Sequence, residues 1–185
     1  MQQFIGLEPI LLEAQRVGAL TEVPIAEIIE HALWFSRAIP GAAERIVDLG
    51  SGAGVPGLIV ALDRPNLEVV LVDRRSGRTD SLIRAVSALQ IQTRVKVVCA
   101  EINSLIDDPN WAKSFDAAIS RGLGPVAETL IMSKKLTKDG GVVVVSEPPV
   151  EAGSRWNQTQ VESLGLSGPD RVGAVAVFHV KHLGQ

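Results

Sequence analysis

Cysteine and aromatic residues are scarce in this chain of 185 residues, which has one cysteine and no tyrosine. The single cysteine, Cys99, cannot form an internal disulfide, which is typical of proteins from a reducing cytoplasm. One cysteine and three scattered histidines give no cluster with metal-ligand spacing, so we expect no metal site. We therefore expect a cytoplasmic protein that folds without disulfides or zinc.

Long hydrophobic runs are also missing. Apolar runs such as Val142–Val145 fall far short of the ~18 apolar residues that indicate a membrane span. The first residues lack the basic start and the apolar stretch of a secretory signal. We expect no membrane partner. With 46% hydrophobic and 21% charged residues, the composition is that of a globular protein, and the length suits one domain.

Positive charge is low overall and unevenly distributed. The net charge of −3 excludes a basic protein that coats nucleic acid. Residues 1–44 hold six acidic side chains against two basic ones, whereas four arginines between 74 and 84 accompany a single acid, Asp80. These arginines are Arg74, Arg75, Arg78 and Arg84. They indicate either a solvated helix face, as most charge runs do, or an anion site beside a cleft.

Apolar periodicity predicts two N-terminal helices followed by alternating strands and helices. Helical spacing covers residues 7–19 and 24–38, which we expect to form a helical cap over residues 1–44. From residue 45 onwards, strands alternate with helices. The predicted strands are Arg45–Leu49, Glu68–Val72, Val95–Cys99, Phe115–Ile119 and Gly141–Ser146, and the predicted helices are Val55–Leu62, Ser81–Leu89 and Pro125–Lys135.

This alternation is typical of an α/β protein with a doubly wound, mostly parallel sheet. The apolar runs Val69–Val72 and Val142–Val145 indicate strands that are covered on both faces. The end of the chain differs, because Gln160–Leu166 and Val172–Lys181 have strand-like composition and Ser167–Asp170 has that of a turn. We therefore expect a terminal antiparallel hairpin at one side of the sheet.

The glycine-rich stretch from Asp48 to Gly57 carries the strongest chemical signal. It follows the first predicted strand and opens a helix, where glycines let the backbone turn sharply and approach a ligand closely. The N-terminus of that helix offers free backbone N–H groups. Asp73 ends the second strand, and its carboxylate can accept hydrogen bonds from both hydroxyls of a ribose.

Two cofactor interpretations compete for this stretch. Gly52-x-Gly54-x-x-Gly57 alone matches the dinucleotide fingerprint, with Asp73 near the expected ~20 residues downstream. The preceding Asp-Leu-Gly extends the match to D-x-G-x-G-x-G, the pattern of class I methyltransferases that bind S-adenosylmethionine. The short chain and the terminal hairpin favour the methyltransferase, so we expect a Rossmann-like core over residues 45–185 within a single domain of residues 1–185.

The sequence DLGSGAGVPG, from Asp48 to Gly57, resembles the signature of the RsmG/GidB family. Members of that family are bacterial methyltransferases that modify N7 of a guanine in 16S ribosomal RNA. The resemblance extends along nearly the whole chain and includes Asp73, Ala100-Glu101 and Ser120-Arg121. It implies an S-adenosylmethionine-dependent enzyme whose partner is 16S ribosomal RNA or the small ribosomal subunit.

The resemblance also implies roles for individual residues. The residues expected to bind the cofactor are Asp48, Gly50, Ser51, Gly52, Gly54, Val55, Asp73, Ala100, Glu101 and Arg121. Arg121 is expected beside both cofactor and substrate. For Asp48, a structural hydrogen bond to the backbone of the glycine loop is an equal alternative.

Other charged residues are candidates for the substrate side. Arg74, Arg75 and Arg78 are candidate RNA contacts. Methylation of N7 needs no general base, because that nitrogen has a free lone pair. The ring gains positive charge, however, and Glu147 is a candidate carboxylate for stabilising that charge.

The chain departs from the family pattern where positive charge is expected. Gly77 and Asp80 replace a lysine and an arginine, and Ser146–Pro149 replaces a Lys-Gly pair. Two alternatives therefore stay open. One is a related methyltransferase that acts on a small molecule or a protein, and the other is a cofactor-binding module without activity. RNA binding that weakens steeply with salt distinguishes a ribosomal RNA methyltransferase from both alternatives.

Overall fold

A computed structural model describes residues 4–149 and 155–182, which form a seven-stranded sheet with helices on both faces. The strands are β1 (Arg45–Leu49), β2 (Glu68–Asp73), β3 (Val95–Cys99), β4 (Phe115–Ser120), β5 (Thr137–Ser146), β6 (Leu166–Val172) and β7 (Val175–Val180). The helices are α1 (Glu8–Arg16), α2 (Ile25–Ala38), α3 (Gly57–Asp63), α4 (Ser76–Ala88), α5 (Ile102–Ile106), α6 (Val126–Leu136) and α7 (Gln158–Ser163). Residues 1–3, on which the prediction about a secretory signal partly rests, lie outside the described residues.

The strand order confirms the predicted α/β fold. The order across the sheet is β3-β2-β1-β4-β5-β7-β6, with the first five strands parallel and β7 antiparallel to both its neighbours. In β1, Asp48 is opposite Leu71 on one side and Ile119 on the other. The chain adds β2 and β3 on one side of β1 and then crosses to place β4 on the other side. The carboxyl ends of β1 and β4 therefore form a topological switch point, where ligands bind in such sheets.

The long step from β1 to β4 is reinforced at the opposite, amino edge of the sheet. The Asp116 carboxylate accepts hydrogen bonds from the backbone N–H groups of Glu44, at 3.0 Å, and Arg45, at 2.9 Å. These partners are 72 and 71 positions apart in the chain. The two strands that frame the switch point are therefore joined directly at their other end.

Alternate residues of each strand reach opposite helical layers. Ile46 joins the core beneath α1, α2, α3 and α4, whereas its neighbours Val47 and Leu49 join the core beneath α5 and α6. Strands buried on both faces read as continuous apolar runs, as the sequence predicts. Asp48 shares the face of Ile46, which points its side chain towards α3.

Several predicted limits differ from the structure. The third core helix, α4, begins at Ser76 rather than at residue 81, and β5 begins at Thr137 rather than at residue 141. Sequence periodicity missed α5 altogether, because a helix of five residues presents too little of a repeat. None of the helices in the described part of the chain combines the length and apolar character needed to span a bilayer.

The predicted strand at residues 160–166 is wrong, since α7 occupies most of this segment. The side-chain oxygen of Asn157 accepts a hydrogen bond from the backbone N–H of Gln160 at 3.0 Å and so caps the helix. Val161 is the buried residue of this helix, and Leu164 packs against the same core three positions later. A spacing of three residues is helical, but the alternation of polar and apolar residues in the same segment also matches a strand.

The terminal antiparallel hairpin is confirmed, but its turn lies later than predicted. Ser167–Asp170 lies inside β6, where the register with β7 shifts, and does not reverse the chain. The reversal comes between Val172 and Val175, where Gly173 adopts a positive φ of 57°. That conformation is accessible to glycine at little cost, so the turn forms there.

Candidate active site

A cavity of about 530 Å³ opens beyond the carboxyl ends of β1, β2 and β3. The predicted site residues on its wall are Gly50, Asp73, Arg74, Arg75, Arg78, Ala100 and Glu101. The rest of the wall consists of Val72, Ile102, Asn103, Gly122, Leu123, Glu128 and Met132. Motif reasoning missed this second group. Most of it follows β3 and β4, and the position of those strand ends is the signal that could have found it.

Gly50 lies where the glycine loop passes closest to the segment after β4. Its φ is 71°, and a Cβ built on it would lie only 2.7 Å from the Cδ1 atom of Leu123. Both the backbone conformation and the space therefore require glycine at this position. The absence of a side chain keeps the cavity open against the backbone of the loop.

Four predicted cofactor residues, Ser51, Gly52, Gly54 and Val55, shape the glycine loop and do not line the cavity. Ser51 is buried, its hydroxyl donates to the carbonyl of Asp48 at 2.8 Å, and its backbone N–H donates to the carbonyl of Val72 at 2.9 Å. Gly54 and Val55 are also buried beneath the loop. These residues fix the loop to β1 and β2, which holds the backbone of Gly50 and Gly52 in place.

Asp73 forms the floor of the cavity at the end of β2, with its side chain only 5% exposed. Its Oδ2 atom accepts from the backbone N–H of Gly52 at 3.0 Å, and its Oδ1 atom accepts from that of Arg75 at 2.9 Å. The Arg78 guanidinium lies 3.5 Å from Oδ2. A carboxylate offers about four acceptor positions, so Asp73 keeps capacity for the hydroxyls of a ribose.

Asp48 is enclosed in the core directly below the glycine loop. Its Oδ2 atom accepts from the backbone N–H of Gly57 at 3.1 Å, whereas its Oδ1 atom has no hydrogen-bond partner among the described residues. Burial raises the pKa of Asp48 to about 7, and the Gly57 hydrogen bond only partly offsets this. The bond to the loop is the structural role that the sequence left open, while the second oxygen is enclosed without a partner among the described residues.

Arg121 follows β4 at the switch point and is half-buried. Burial lowers the pKa of its guanidinium, and the nearby Asp48 carboxylate opposes that shift. Its guanidinium makes no hydrogen bond to any residue that the structure describes. Arg121 is therefore close enough to Asp48 for their charges to interact, and it lies outside the wall of the 530 Å³ cavity.

Of the three predicted RNA contacts, Arg75 is the least engaged. Arg74 forms an ion pair with Glu101 at 3.4 Å, but both side chains are largely exposed, so the pair adds little stability and can open. Arg78 pairs with Asp73 inside the cavity. The guanidinium of Arg75 has no ion pair with another described residue, so it carries free positive charge at the cavity mouth.

Glu147 lies just beyond β5 with its side chain only 6% exposed. Its carboxylate accepts a hydrogen bond from Nε1 of Trp156 at 2.7 Å and lies 3.6 Å from Nε of Arg155. The carboxylate that was a candidate for stabilising charge on the substrate thus already has two partners. These contacts attach residues 155–156 to the end of β5.

These features fit S-adenosylmethionine. Asp73 can accept hydrogen bonds from a ribose, the cavity continues from it along Ala100 and Glu101, and the backbone of Gly50 borders the cavity where a Cβ would fill the space. The unpaired Oδ1 atom of Asp48 lies below the same loop. No group of three or more His, Cys, Asp or Glu side chains that could hold a metal ion occurs in residues 4–149 and 155–182.

Comparison with solved structures confirms the class I methyltransferase fold. A cofactor-bound protein from MTB aligns with a TM-score of 0.67 at 16% identity, covering 96% of this chain and 90% of its own. An O-methyltransferase family protein from Burkholderia thailandensis aligns with a TM-score of 0.62 at 14% identity, covering 85% and 58%. At these identities the similarity establishes the fold.

Sequence relatives identify the family within this fold. Ribosomal RNA small subunit methyltransferase G of Nostoc punctiforme is 28% identical over 175 residues, covering 89% of this chain and 68% of its own length. The Moorella thermoacetica enzyme of the same name is 31% identical over 117 residues, covering 63% and 48%. This chain thus spans about half to two thirds of the length of these relatives.

The family model for rRNA small subunit methyltransferase G, GidB, matches residues 9–151. That range includes the glycine loop, Asp73, Arg121 and the end of β5. S-adenosylmethionine is the cofactor of this class of methyltransferases, in agreement with the site described above. The chain belongs to the rRNA small subunit methyltransferase G family.

Proposed function

We propose that this chain transfers a methyl group from S-adenosylmethionine to N7 of a guanine in 16S ribosomal RNA. The observation that carries the proposal is the cavity at the switch point of a member of this family, with Asp73 on its floor and Gly122, the neighbour of Arg121, in its wall. We further propose that residues 1–185 act as one domain and that the reaction takes place in the cytoplasm, on the RNA or on the small ribosomal subunit.

The proposed cofactor contacts follow the cavity from the glycine loop to β3. The backbone of Gly50 faces the methionine end, the Asp73 carboxylate accepts from the ribose hydroxyls, and Ala100 and Glu101 lie along the adenine. When bound, S-adenosylmethionine supplies a methyl group on a sulfonium that a nucleophile displaces in line. Residues that fix the cofactor thereby fix the direction from which an acceptor must approach.

Methylation of guanine N7 requires no acid–base catalysis by the protein. Guanine N7 attacks with its own lone pair, so no residue needs to remove a proton. The main task is alignment and exclusion of water, which the half-buried Arg121 and the closed core around Asp48 support. Glu147 remains a candidate for stabilising the positive charge on the ring only if its carboxylate can leave Trp156 and Arg155.

The proposed RNA surface surrounds the mouth of the cavity. Arg75 offers an unpaired guanidinium, and Arg74 can exchange the exposed Glu101 carboxylate for a phosphate at little cost. Arg78 is committed to Asp73, so its contribution to RNA is indirect. A chain with net charge −3 then uses a local basic rim, and not its overall charge, to approach RNA.

The test is cofactor binding by calorimetry, followed by transfer of tritiated methyl to unmodified small subunits in the same preparation. We expect binding, and label that is recovered as 7-methylguanosine after digestion of the RNA to nucleosides. Binding without label in RNA would redirect the search to a small-molecule or protein acceptor, which the missing family lysine and arginine favour. Absence of binding would overturn the enzymatic proposal and leave an interaction module.

A further inference from the structure

A second cavity, of about 560 Å³, lies between α1, α4 and the glycine loop, and we call it the α1–α4 cavity. Small and apolar side chains make up most of its wall, among them Ile10, Ala14, Ala53, Leu82, Ala85 and Ala88. The 530 Å³ cavity proposed for the cofactor, here called the cofactor cavity, meets the same loop at Gly50. Arg78 borders both cavities, so the two are neighbours. The proposed cofactor contacts leave the α1–α4 cavity unassigned.

The size and the lining of the α1–α4 cavity suit a planar ring. Ligand pockets in proteins usually measure about 300–1,000 Å³ and have mostly apolar walls with a few polar groups. Alanine and glycine side chains are too short to fill the space between α1 and α4. Such a wall accommodates a nucleobase, which single-stranded RNA exposes wherever the base is unstacked.

The charged groups on the wall leave one positive charge without a partner. Glu13 is held by Arg16 through two contacts of 2.6 and 2.7 Å, and Arg78 pairs with Asp73. The exposed Arg84 donates to a serine hydroxyl of its own helix at 2.9 Å and forms no ion pair with another described residue. Its guanidinium is therefore available to a phosphate, which it can bind by charge-assisted hydrogen bonds.

Arginines connect this cavity with the mouth of the cofactor cavity. Arg74 and Arg75 lie on the wall of the cofactor cavity, and Arg78 lies on the walls of both. Arg84 continues the row along the α1–α4 cavity. In a chain with net charge −3, this row is a local attraction for a polyanion. An apolar protein segment would leave Arg84 without a partner, so the charge favours a nucleotide as the occupant.

Gly77, in the first turn of α4, forms an open part of the wall. Its φ lies outside the left-handed region, and an added Cβ would have no packing partner within 4 Å. Neither the backbone conformation nor the neighbouring atoms therefore require glycine here, although glycine weakens a helix relative to alanine. A larger side chain at this position takes up space at the cavity wall without a clash in the fold, which makes Gly77 suitable for a test.

We propose that the α1–α4 cavity is a nucleotide site, which holds a base between α1 and α4 and the attached phosphate on Arg84. This inference rests on the proposed function, under which the ligand is a nucleotide of the RNA substrate near the methylated guanine. The phosphate contact positions the strand, and the bound base fixes its register. The target guanine then reaches the methyl group in one orientation.

The kinetic test uses Gly77→Leu, which narrows the cavity, with Gly77→Ala as its matched control. Arg84→Ala removes the unpaired charge, and Arg37→Ala, at an exposed arginine of α2 that lines neither cavity, is the control for it. We expect all four variants to bind S-adenosylmethionine within about twofold of the wild-type Kd. We expect Gly77→Leu and Arg84→Ala to lower kcat/KM for small subunits by about 10-fold, and the controls by less than twofold.

The salt dependence of binding to small subunits separates the two parts of the site. Arg84→Ala should make the slope of log K against log salt shallower by about 1, because it removes a phosphate contact. Gly77→Leu should leave this slope unchanged, because it removes no charge.

Direct binding is measured from amide NMR signals of the chain saturated with S-adenosylmethionine. The chain is titrated separately with the four nucleoside 5′-monophosphates and with inorganic phosphate. We expect at least one nucleotide to shift the signals of Ala53, Gly77 and Ser81, which lie on the cavity wall, and Gly77→Leu to abolish these shifts. Equal shifts with inorganic phosphate would show an anion site without a base and would overturn the inference.

The remaining outcomes are also decisive. Wild-type kcat/KM in both Gly77→Leu and Arg84→Ala would overturn the inference, as would an equal loss in Gly77→Ala or a loss of cofactor binding that accounts for the lower rate. A wild-type chain that binds cofactor yet labels no RNA would overturn the proposed function instead. Nucleotide shifts at the α1–α4 cavity of that chain would then support the nucleotide site with a free nucleotide as its ligand.

Discussion

Asp48 holds a carboxylate inside the core, and the stability of the protein depends on the charge of that group. Its pKa is about 7 in the folded chain against an ordinary value of 3.8, because burial penalises the charged form. Between these values the folded state binds more protons than the unfolded state. The contribution of Asp48 to the free energy of unfolding therefore falls as the pH rises from about 4 to about 7.

The variant Asp48→Asn tests this pH dependence. Asparagine keeps an acceptor for Gly57 N–H and cannot ionise, so the variant gains stability relative to wild type as the pH rises through this window. We expect a relative gain on the order of a few kcal/mol between pH 4 and pH 8, measured by urea unfolding. Taking the difference between the two proteins cancels the opposite contribution of His31, whose pKa is lowered. A difference in the free energy of unfolding that does not change with pH would contradict a raised pKa at Asp48.

Asp73 supplies the acceptor for the ribose, so its charge matters to cofactor affinity. The variant Asp73→Asn retains the shape of the side chain but replaces one carboxylate oxygen with a donor that faces Gly52 N–H or Arg75 N–H. We expect the Kd for S-adenosylmethionine to rise about 10- to 100-fold by calorimetry. Asp80→Asn, at an exposed position on α4, is the control and should bind as wild type does.

Sequence reasoning located some of these residues and could not locate others. Gly50, Asp73, Ala100 and Glu101, which the sequence predicts as cofactor contacts, all line the cavity, and each belongs to a loop or strand end that a local pattern identifies. The relation of Asp48 to Arg121 depends on the pairing of β1 with β4. No local sequence pattern contains this long-range pairing. Sequence analysis therefore identified Asp48 and Arg121 separately and did not predict that their charges interact.

At the scale of elements, β5 and the segment beginning at residue 155 are joined by Glu147. In Glu147→Gln the amide oxygen can still accept from Trp156, but the negative charge facing Arg155 is lost. We expect the free energy of unfolding to fall by about 1–2 kcal/mol in urea. We also expect methyl transfer to small subunits to stay within about threefold of wild type.

Glu162→Gln, at an exposed position on α7, is the control for this loss of charge and should change neither stability nor rate. The opposite pattern for Glu147→Gln, unchanged stability with a large fall in kcat, would establish the transition-state role predicted from the sequence. The two roles of Glu147 therefore separate cleanly in one pair of measurements.

The strands of the sheet were easier to predict than its last helix. Valine-rich runs covered on both faces mark β2 and β5 without any knowledge of their neighbours. Helix α7 has six residues, and it depends on the Asn157 cap and on the core that Val161 and Phe178 share. Short elements of this kind are decided by caps and tertiary packing, which periodicity does not capture.

At the scale of the whole molecule, the net charge and the charge around the cavity mouth differ in sign. The chain is acidic overall, yet Arg74 and Arg75 present positive charge at the cavity mouth. In the double variant Arg74→Ala with Arg75→Ala, we expect weaker binding to small subunits. The slope of log K against log salt should become shallower by about 1 for each RNA phosphate that the variant no longer neutralises.

The matched control for the arginine variant is Lys113→Ala, because Lys113 precedes β4 at the opposite edge of the sheet and pairs with Asp139. This control should leave both affinity and salt slope unchanged. Equal salt slopes in the wild type and the double variant would instead assign the electrostatic contact with RNA to another surface.

The pairing of β1 with β4 also bears on how the protein is made. The ribosome synthesises the glycine loop well before β4. Asp116, which accepts hydrogen bonds from the backbone of Glu44 and Arg45, comes about 70 residues later in the chain. A nascent chain that ends before β4 already contains the β1, β2 and β3 strand ends but lacks Arg121 and the wall from Gly122 to Met132. We therefore expect cofactor binding to be acquired late in synthesis, once the second half of the sheet has docked against the first.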